Sequence, residues 1–204
     1  MAGPWDVESN FVLEQALQQE QSDSCDAIVN LAASGDISLV IPAFSLAEPH
    51  QALTQKDKLR NRLNNELQQQ LLELGRSKPY RAVLDDFRDL SSVLIRSADQ
   101  ERDGLQRAVG ELLRTAEVVP LDGGIVTAGG ELQTAFAMSG QDAIVLASVL
   151  QHLERTKPAE SCFLNRNSRD FDDPDVRERL DRFGCKFFAR FDHGCQFILA
   201  RLGK

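Results

Sequence analysis

Three features of the chain predict an α/β fold built on a parallel sheet. Short apolar, β-branched runs alternate with helical patterns along the 204 residues, an order that pairs strands in parallel through right-handed crossovers. A polar turn, Asn165–Asp170, follows the fourth of these runs, at the edge where open α/β sheets bind ligands. One long stretch, about residues 52–115, is almost wholly helical and polar, which suits antiparallel helices projecting from a sheet domain.

In order, Trp5–Val7 reads as a very short strand ending at Glu8-Ser9-Asn10. Phe11–Ala33 reads as a helix interrupted near Ser22–Ser24 and stopped by Gly35, because its apolar residues recur at helical spacing. Ile37–Ile41 is the second strand, closed by Pro42. Ser45-Leu46-Ala47-Glu48 has the spacing of a capping box and opens the next helix. Leu59, Leu63, Leu67, Leu71 and Leu74 form an apolar stripe, Gly75–Pro79 breaks it, and a second stripe runs through Val83, Leu84, Phe87, Leu90, Val93 and Leu94 to Leu105, Val109, Leu112 and Leu113. Glu117–Leu121 is the third strand and Asp122–Ala137 a glycine-weakened helix. Ser139 opens another helix, Ser161–Leu164 is the fourth strand, and Asp173-Pro174 starts a helix with a cap and a proline at its first position. Cys185–Phe188 is the fifth strand and Gly194–Leu202 a terminal helix. No domain boundary is evident, so residues 1–204 are read as one domain with a helical insertion at about 52–115.

Composition narrows the function. A net charge of −8 repels phosphate backbones at long range, which argues against a protein that coats nucleic acid but leaves room for a nucleic-acid enzyme whose carboxylates gather a divalent cation. The four cysteines form no C-x-x-C pair, and Cys162 and Cys185 lie in apolar strand patterns, as buried thiols do. Met1–Asn10 lacks a signal-peptide pattern and no run is long enough to span a membrane, so a cytoplasmic location without membrane association is expected.

On this scaffold Glu8 follows the first strand, Glu48 opens the helix after the second, Asp142 opens the helix before the fourth, and Asn167 and Asp170 follow the fourth. Three or four oxygen ligands at one cleft are what Mg²⁺ or Mn²⁺ requires, with water and substrate phosphate completing the shell. The plainer alternative is that Ser45-x-x-Glu48 and Ser139-x-x-Asp142 are helix caps, each contributing about 0.5–2 kcal/mol.

The ordered set E-S-N-F-V-L-E, V-I-P-A-F-S-L-A-E-P, V-V-P-L-D, S-G-Q-D-A-I-V-L-A-S-V and L-N-R-N-S-R-D-F resembles a PIN domain from Val7 to about Phe191. The resemblance implies a three-layer fold around a five-stranded parallel sheet in the order 3-2-1-4-5, and a metal-dependent endoribonuclease acting on single-stranded RNA. It places Glu8, Glu48, Asp142 and Asp170 as catalytic acids, with Glu8, Glu48, Asp142 and Asn167 as ligands to Mg²⁺ or Mn²⁺. Ser9 and Asn10 then contact metal water or phosphate in the first motif. Two departures stand out: Glu8 occupies the place of an aspartate, and Asn167 carries no charge. They motivate the alternative of a catalytically degenerate PIN scaffold that binds RNA or protein without cleavage. Asp6, two residues before Glu8, is assigned to the opposite face of the strand.

Lys56 and Arg60, within the run Lys56–Arg62, and Arg166 and Arg169 beside the acidic turn are candidate phosphate contacts. The helix run has a plainer reading as a solvated face with intrahelical pairs. Resemblance to toxin ribonucleases also implies an antitoxin-like protein partner, and the leucine stripes of the projecting helices suggest a homo-oligomer.

Overall fold

The computed structural model describes residues 3–80 and 84–204, and side chains outside residues 81–91. Five parallel strands form one sheet: β1 (Pro4–Val7), β2 (Ser38–Pro42), β3 (Ala116–Val119), β4 (Ser161–Leu164) and β5 (Cys185–Phe188). Their spatial order is β3-β2-β1-β4-β5. This is the expected 3-2-1-4-5 sheet. The central strands β1, β2 and β4 are covered by helices on both faces and read as nearly continuous apolar runs, whereas the edge strands β3 and β5 expose Glu117 and Lys186.

One face carries α1 (Ser9–Ala16), α2 (Ser22–Ala33) and α9 (Phe191–Leu202), packed over Trp5, Val7, Leu39, Ile41, Cys162 and Leu164. The other carries α5 (Gly123–Phe136), α6 (Gly140–Thr156) and α8 (Pro174–Asp181), over Val40, Phe163 and Cys185. All four cysteines are buried free thiols, as the strand patterns suggested for Cys162 and Cys185. A short α7 (Ser168–Phe171) sits between β4 and α8.

The expected interruption of the first helix exists but lies earlier than Ser22–Ser24, which instead open α2. Gln18 turns the chain through the left-handed region (φ 49°), and Leu17–Gln21 separates α1 from α2. The terminal helix begins three residues earlier than its pattern, because Gln21 caps it from outside: its Oε1 accepts the N–H of Phe191 at 2.7 Å and of Asp192 at 3.3 Å. That partner is far away in sequence, so no local cap signal announces it. Strand β3 likewise starts one residue early, at Ala116.

The insertion is a helical hairpin of α3 (Ala43–Leu74) and α4 (Leu84–Thr115), 32 residues each, or about 48 Å long at the usual helical rise. Val83, Leu84, Phe87 and Leu90, part of the predicted second stripe, lie outside the residues whose side chains are described. The base of α4 packs through Leu105, Ala108 and Leu112 into the core around α1. Gly104 makes this possible, since a Cβ there would stand 2.2 Å from the carbonyl oxygen of Ala16. Farther out the hairpin is joined by charge. Arg60 forks onto Glu101 at 2.8 and 2.6 Å, Lys56 reaches the same carboxylate at 2.9 Å, and Arg102 meets Asp57 at 3.1 Å. The stripe predicted through Leu59 and Leu63 therefore does not pack inward. Those side chains are 68% and 56% exposed.

Candidate active site

Val7 pairs with Leu164 in parallel register, so the residues that follow, Glu8 and Asn165, leave the sheet side by side at its carboxyl edge. β1 is also where the chain order reverses, with β2 on one side and β4 on the other, and such switch points are where open α/β sheets form their crevices. The side chains that gather here come from four segments remote in sequence.

Glu8 is the N-cap of α1. Its extended backbone lets Oε2 accept the N–H of Asn10 at 2.9 Å. The side chain is only 4% exposed, and its other oxygen, Oε1, has no hydrogen-bond partner. Burial, opposed by the Asn10 bond and reinforced by the neighbouring Glu48 and Asp142 carboxylates, pushes its pKa up to about 8. A carboxylate buried beside two others resists ionisation unless a cation joins them.

Glu48 lies in the second turn of α3, facing Glu8. The capping box predicted for Ser45 and Glu48 does not form. Helix α3 begins at Ala43 with Pro42 as its N-cap, Ser45 is buried inside with an unpartnered hydroxyl, and Glu48 instead accepts a hydrogen bond from Ser9. Pro42 supplies the reason: its fixed φ suits entry into a helix at once, two residues before Ser45 could cap it. Ser139, by contrast, does cap α6. Its Oγ accepts the Asp142 N–H at 3.1 Å and donates to Asp142 Oδ2 at 2.6 Å.

Asp142, half-buried, has a pKa raised by burial and by Asp170, against the opposing bonds from Ser139 and Asn167. Asn167 lies between the two carboxylates, its Nδ2 donating to Asp142 Oδ1 at 3.1 Å and to Asp170 Oδ2 at 2.9 Å. The amide thus supplies the positive pole that a bridging cation would supply. The turn itself is shaped by Asn165, a buried residue at the end of β4 whose Oδ1 accepts the Asn167 N–H at 2.7 Å, an Asx turn in sequence terms.

The structure therefore brings Glu8, Ser9, Asn10 and Glu48 together on one side of the cleft and Asp142, Asn167 and Asp170 on the other, with Glu8 coupled to Asp142 across it. It does not bring Lys56 or Arg60 there, because both are engaged by Glu101 on the hairpin. Arg166 borders the turn but pairs with Glu14, and Arg169 is exposed with no ion pair among the described residues. Among the described residues, no three Asp, Glu, His or Cys side chains come together closely enough to hold one metal ion. The donors that converge are nonetheless all oxygens, and Glu8 Oε1 is a buried acceptor without a donor, features that suit a hard divalent cation.

Two buried carboxyl groups lie outside the site that the sequence outlined. Asp6 faces the α6 side of the sheet, whereas Trp5 and Val7 face the other. Alternation along a strand puts residues two apart on the same face, so the expected opposition of Asp6 to Glu8 does not follow from strand geometry; β1 ends at Val7 and Glu8 lies beyond it as the N-cap of α1. Fully buried, Asp6 has a pKa raised by burial and opposed by His152, whose Nδ1 stands 3.4 Å away. A charged residue between Trp5 and Val7 in an otherwise apolar strand was the available signal. The other is Glu14, fully buried on α1 within the apolar pattern of Phe11, Val12 and Ala16.

A three-layer α/β fold with acidic side chains gathered at the carboxyl edge of its central strand defines the class. The chain belongs to the PIN domain family, which matches residues 7–171, and that family is one of nucleases. Among solved structures, the crystal structure of VapBC2 from Rickettsia felis bound to a DNA fragment from their promoter is similar. Sequence identity is 11% and the TM-score 0.48, over 91% of this chain and 98% of that one. A comparison with curated proteins finds no match. Among the described residues no helix is long and apolar enough to cross a membrane.

Proposed function

We propose that this chain is a metal-dependent endoribonuclease that hydrolyses phosphodiester bonds of single-stranded RNA. The observation that carries the proposal is Glu8: a buried carboxyl with one unpartnered oxygen, coupled to Glu48 and Asp142 at the carboxyl edge of β1. In this reading Glu8, Glu48 and Asp142, which do not converge tightly enough to hold an ion without moving, would draw together around Mg²⁺ or Mn²⁺, with Asn167 or Asp170 completing the set. When bound, such an ion activates water and stabilises the charge developing on the phosphodiester. The chain's own groups do the remaining work. Burial raises the Glu8 pKa to about 8, so a cation held there would have to displace its proton. Ser9 orients Glu48, Ser139 orients Asp142, and Asn165 sets the turn that carries Asn167 and Asp170. Arg169, exposed beside the turn, is placed to meet a substrate phosphate.

The test uses purified protein, a mixed-sequence RNA and Mn²⁺ with and without chelator, alongside Asp142→Asn. Cleavage that stops with chelator and with the substitution supports the proposal; cleavage indifferent to both refutes it.

A second reading, a PIN scaffold that binds RNA or protein without cutting, is favoured by one observation: the Asn167 amide already bridges Asp142 and Asp170. Calorimetry separates the two, since a folded protein that takes up no Mn²⁺ supports the scaffold. Two partners belong to the first reading. One is an antitoxin-like protein covering the cleft, tested by whether it suppresses cleavage. The other is a second copy of the chain, joined through the exposed Leu59 and Leu63 of the hairpin, and a monomer by size-exclusion with light scattering excludes it.

A further inference from the structure

We propose that Arg166 is a positioning residue, tethered by the buried carboxylate of Glu14, and that this pair sets the site turn instead of offering a cation to substrate phosphate. The proposal rests on the proposed function only in taking the Asp142–Asn167–Asp170 edge as the working site. Glu14 projects from the last turn of α1 and is completely buried. Its Oε1 accepts the N–H of Gln21 at 2.5 Å, and its Oε2 accepts a hydrogen bond from Arg166 Nη1. Gln21 in turn caps α9 through the N–H groups of Phe191 and Asp192. One polar node thus joins the end of α1, the α1–α2 turn, the start of α9 and the turn after β4.

Arg166 stands between Asn165, which makes the Asx bond, and Asn167, which bridges the two aspartates. A carboxylate buried this completely is strongly unfavourable unless a cation accompanies it. Arg166 is the one cation the described ion pairs assign to Glu14. Moving the guanidinium to a substrate phosphate would strand Glu14, so the resting pair outcompetes that use. The neighbouring Arg169, with no ion pair among the described residues, is the group free to take a phosphate.

The experiment compares Arg166→Ala, Glu14→Gln and the double variant by urea unfolding and by ¹⁵N NMR of the Asn167 side-chain amide. Removing Arg166 leaves the buried Glu14 carboxylate without its cation, but the guanidinium is itself 37% exposed, so the loss falls short of that for a fully buried pair and Arg166→Ala should raise the unfolding constant about tenfold or more. Glu14→Gln in that background should recover most of the loss, because no buried charge is then left alone. The Asn167 amide signals should nevertheless stay displaced in the double variant, since the tether is still missing, and a purely structural role would return them. If Arg166→Ala fails to fold, the double variant carries the same reading. The proposal is overturned if the amide signals return with stability. It is equally overturned if Arg166→Ala leaves stability and those signals unchanged while weakening binding of a short oligouridine. None of these readouts needs cleavage, so a protein without nuclease activity still tests the tether.

Discussion

Replacing Glu8 with glutamine should make the metal-free protein more stable, and by an amount that grows with pH. The carboxyl has a pKa of about 8 in the folded chain, against an ordinary 4.5 when unfolded. Below the lower value both states hold the proton, and folding bears no penalty. Between the two values the folded state keeps a proton that the unfolded state has released, so stability falls as pH rises, by about 1.4 kcal/mol per pH unit. Over the whole window the loss approaches about 5 kcal/mol, an upper figure because water entering the cleft would soften it. Glutamine has the same shape, never ionises, and can still accept the Asn10 N–H that Glu8 Oε2 accepts at 2.9 Å. The wild-type and Glu8→Gln stabilities should therefore converge below the ordinary value of 4.5 and separate by several kcal/mol near pH 8.5. Urea unfolding followed by the lone tryptophan, Trp5, buried against Phe197 at 5.8 Å between ring centroids, reads both proteins. Parallel stability curves across that range would refute the assignment of a neutral, destabilising carboxyl to this position.

Other consequences can be checked alongside. Asn167→Asp replaces the amide between Asp142 and Asp170 with a third carboxylate. It should destabilise the metal-free chain by about 2–4 kcal/mol through two lost charge-assisted bonds, and raise Mn²⁺ affinity at least tenfold by calorimetry. Gly104→Ala pushes a methyl against the Ala16 carbonyl and should cost about 1–3 kcal/mol in thermal unfolding, with cleavage per folded molecule unchanged. Glu101→Gln frees Lys56 and Arg60 from the hairpin ion-pair cluster. Its cost should be about 1 kcal/mol and should shrink in high salt, so a salt-independent loss would contradict the electrostatic account.

Much of the fold was legible because its signals are local. Strand positions, the alternation that forces parallel pairing, the Asp173 cap before Pro174 and the Ser139 cap of α6 all depend on residues a few places apart. The candidate carboxylates could be named for a similar reason, since each follows a strand or opens a helix. What misled the reading was equally physical. Ser45-x-x-Glu48 has the spacing of a capping box, but Pro42 starts the helix before Ser45 can act and Ser9 claims the carboxylate from another segment. The leucine stripe of α3 has helical periodicity, yet Arg60 and Lys56, not Leu59 and Leu63, face α4 because Glu101 lies opposite them.

The sequence by itself determined a parallel α/β sheet and the acidic residues delivered to its carboxyl edge, because strand positions and periodicity are written in short-range pattern, while the strand order followed only from the resemblance to PIN domains. Only the tertiary structure decided what those residues meet. That Glu8 is buried with an idle oxygen, that Asn167 stands between two aspartates, and that Arg166 belongs to Glu14 are contacts between segments separated by up to 152 positions. No local pattern records them, since charge and hydrogen bonding act through space once the chain has folded.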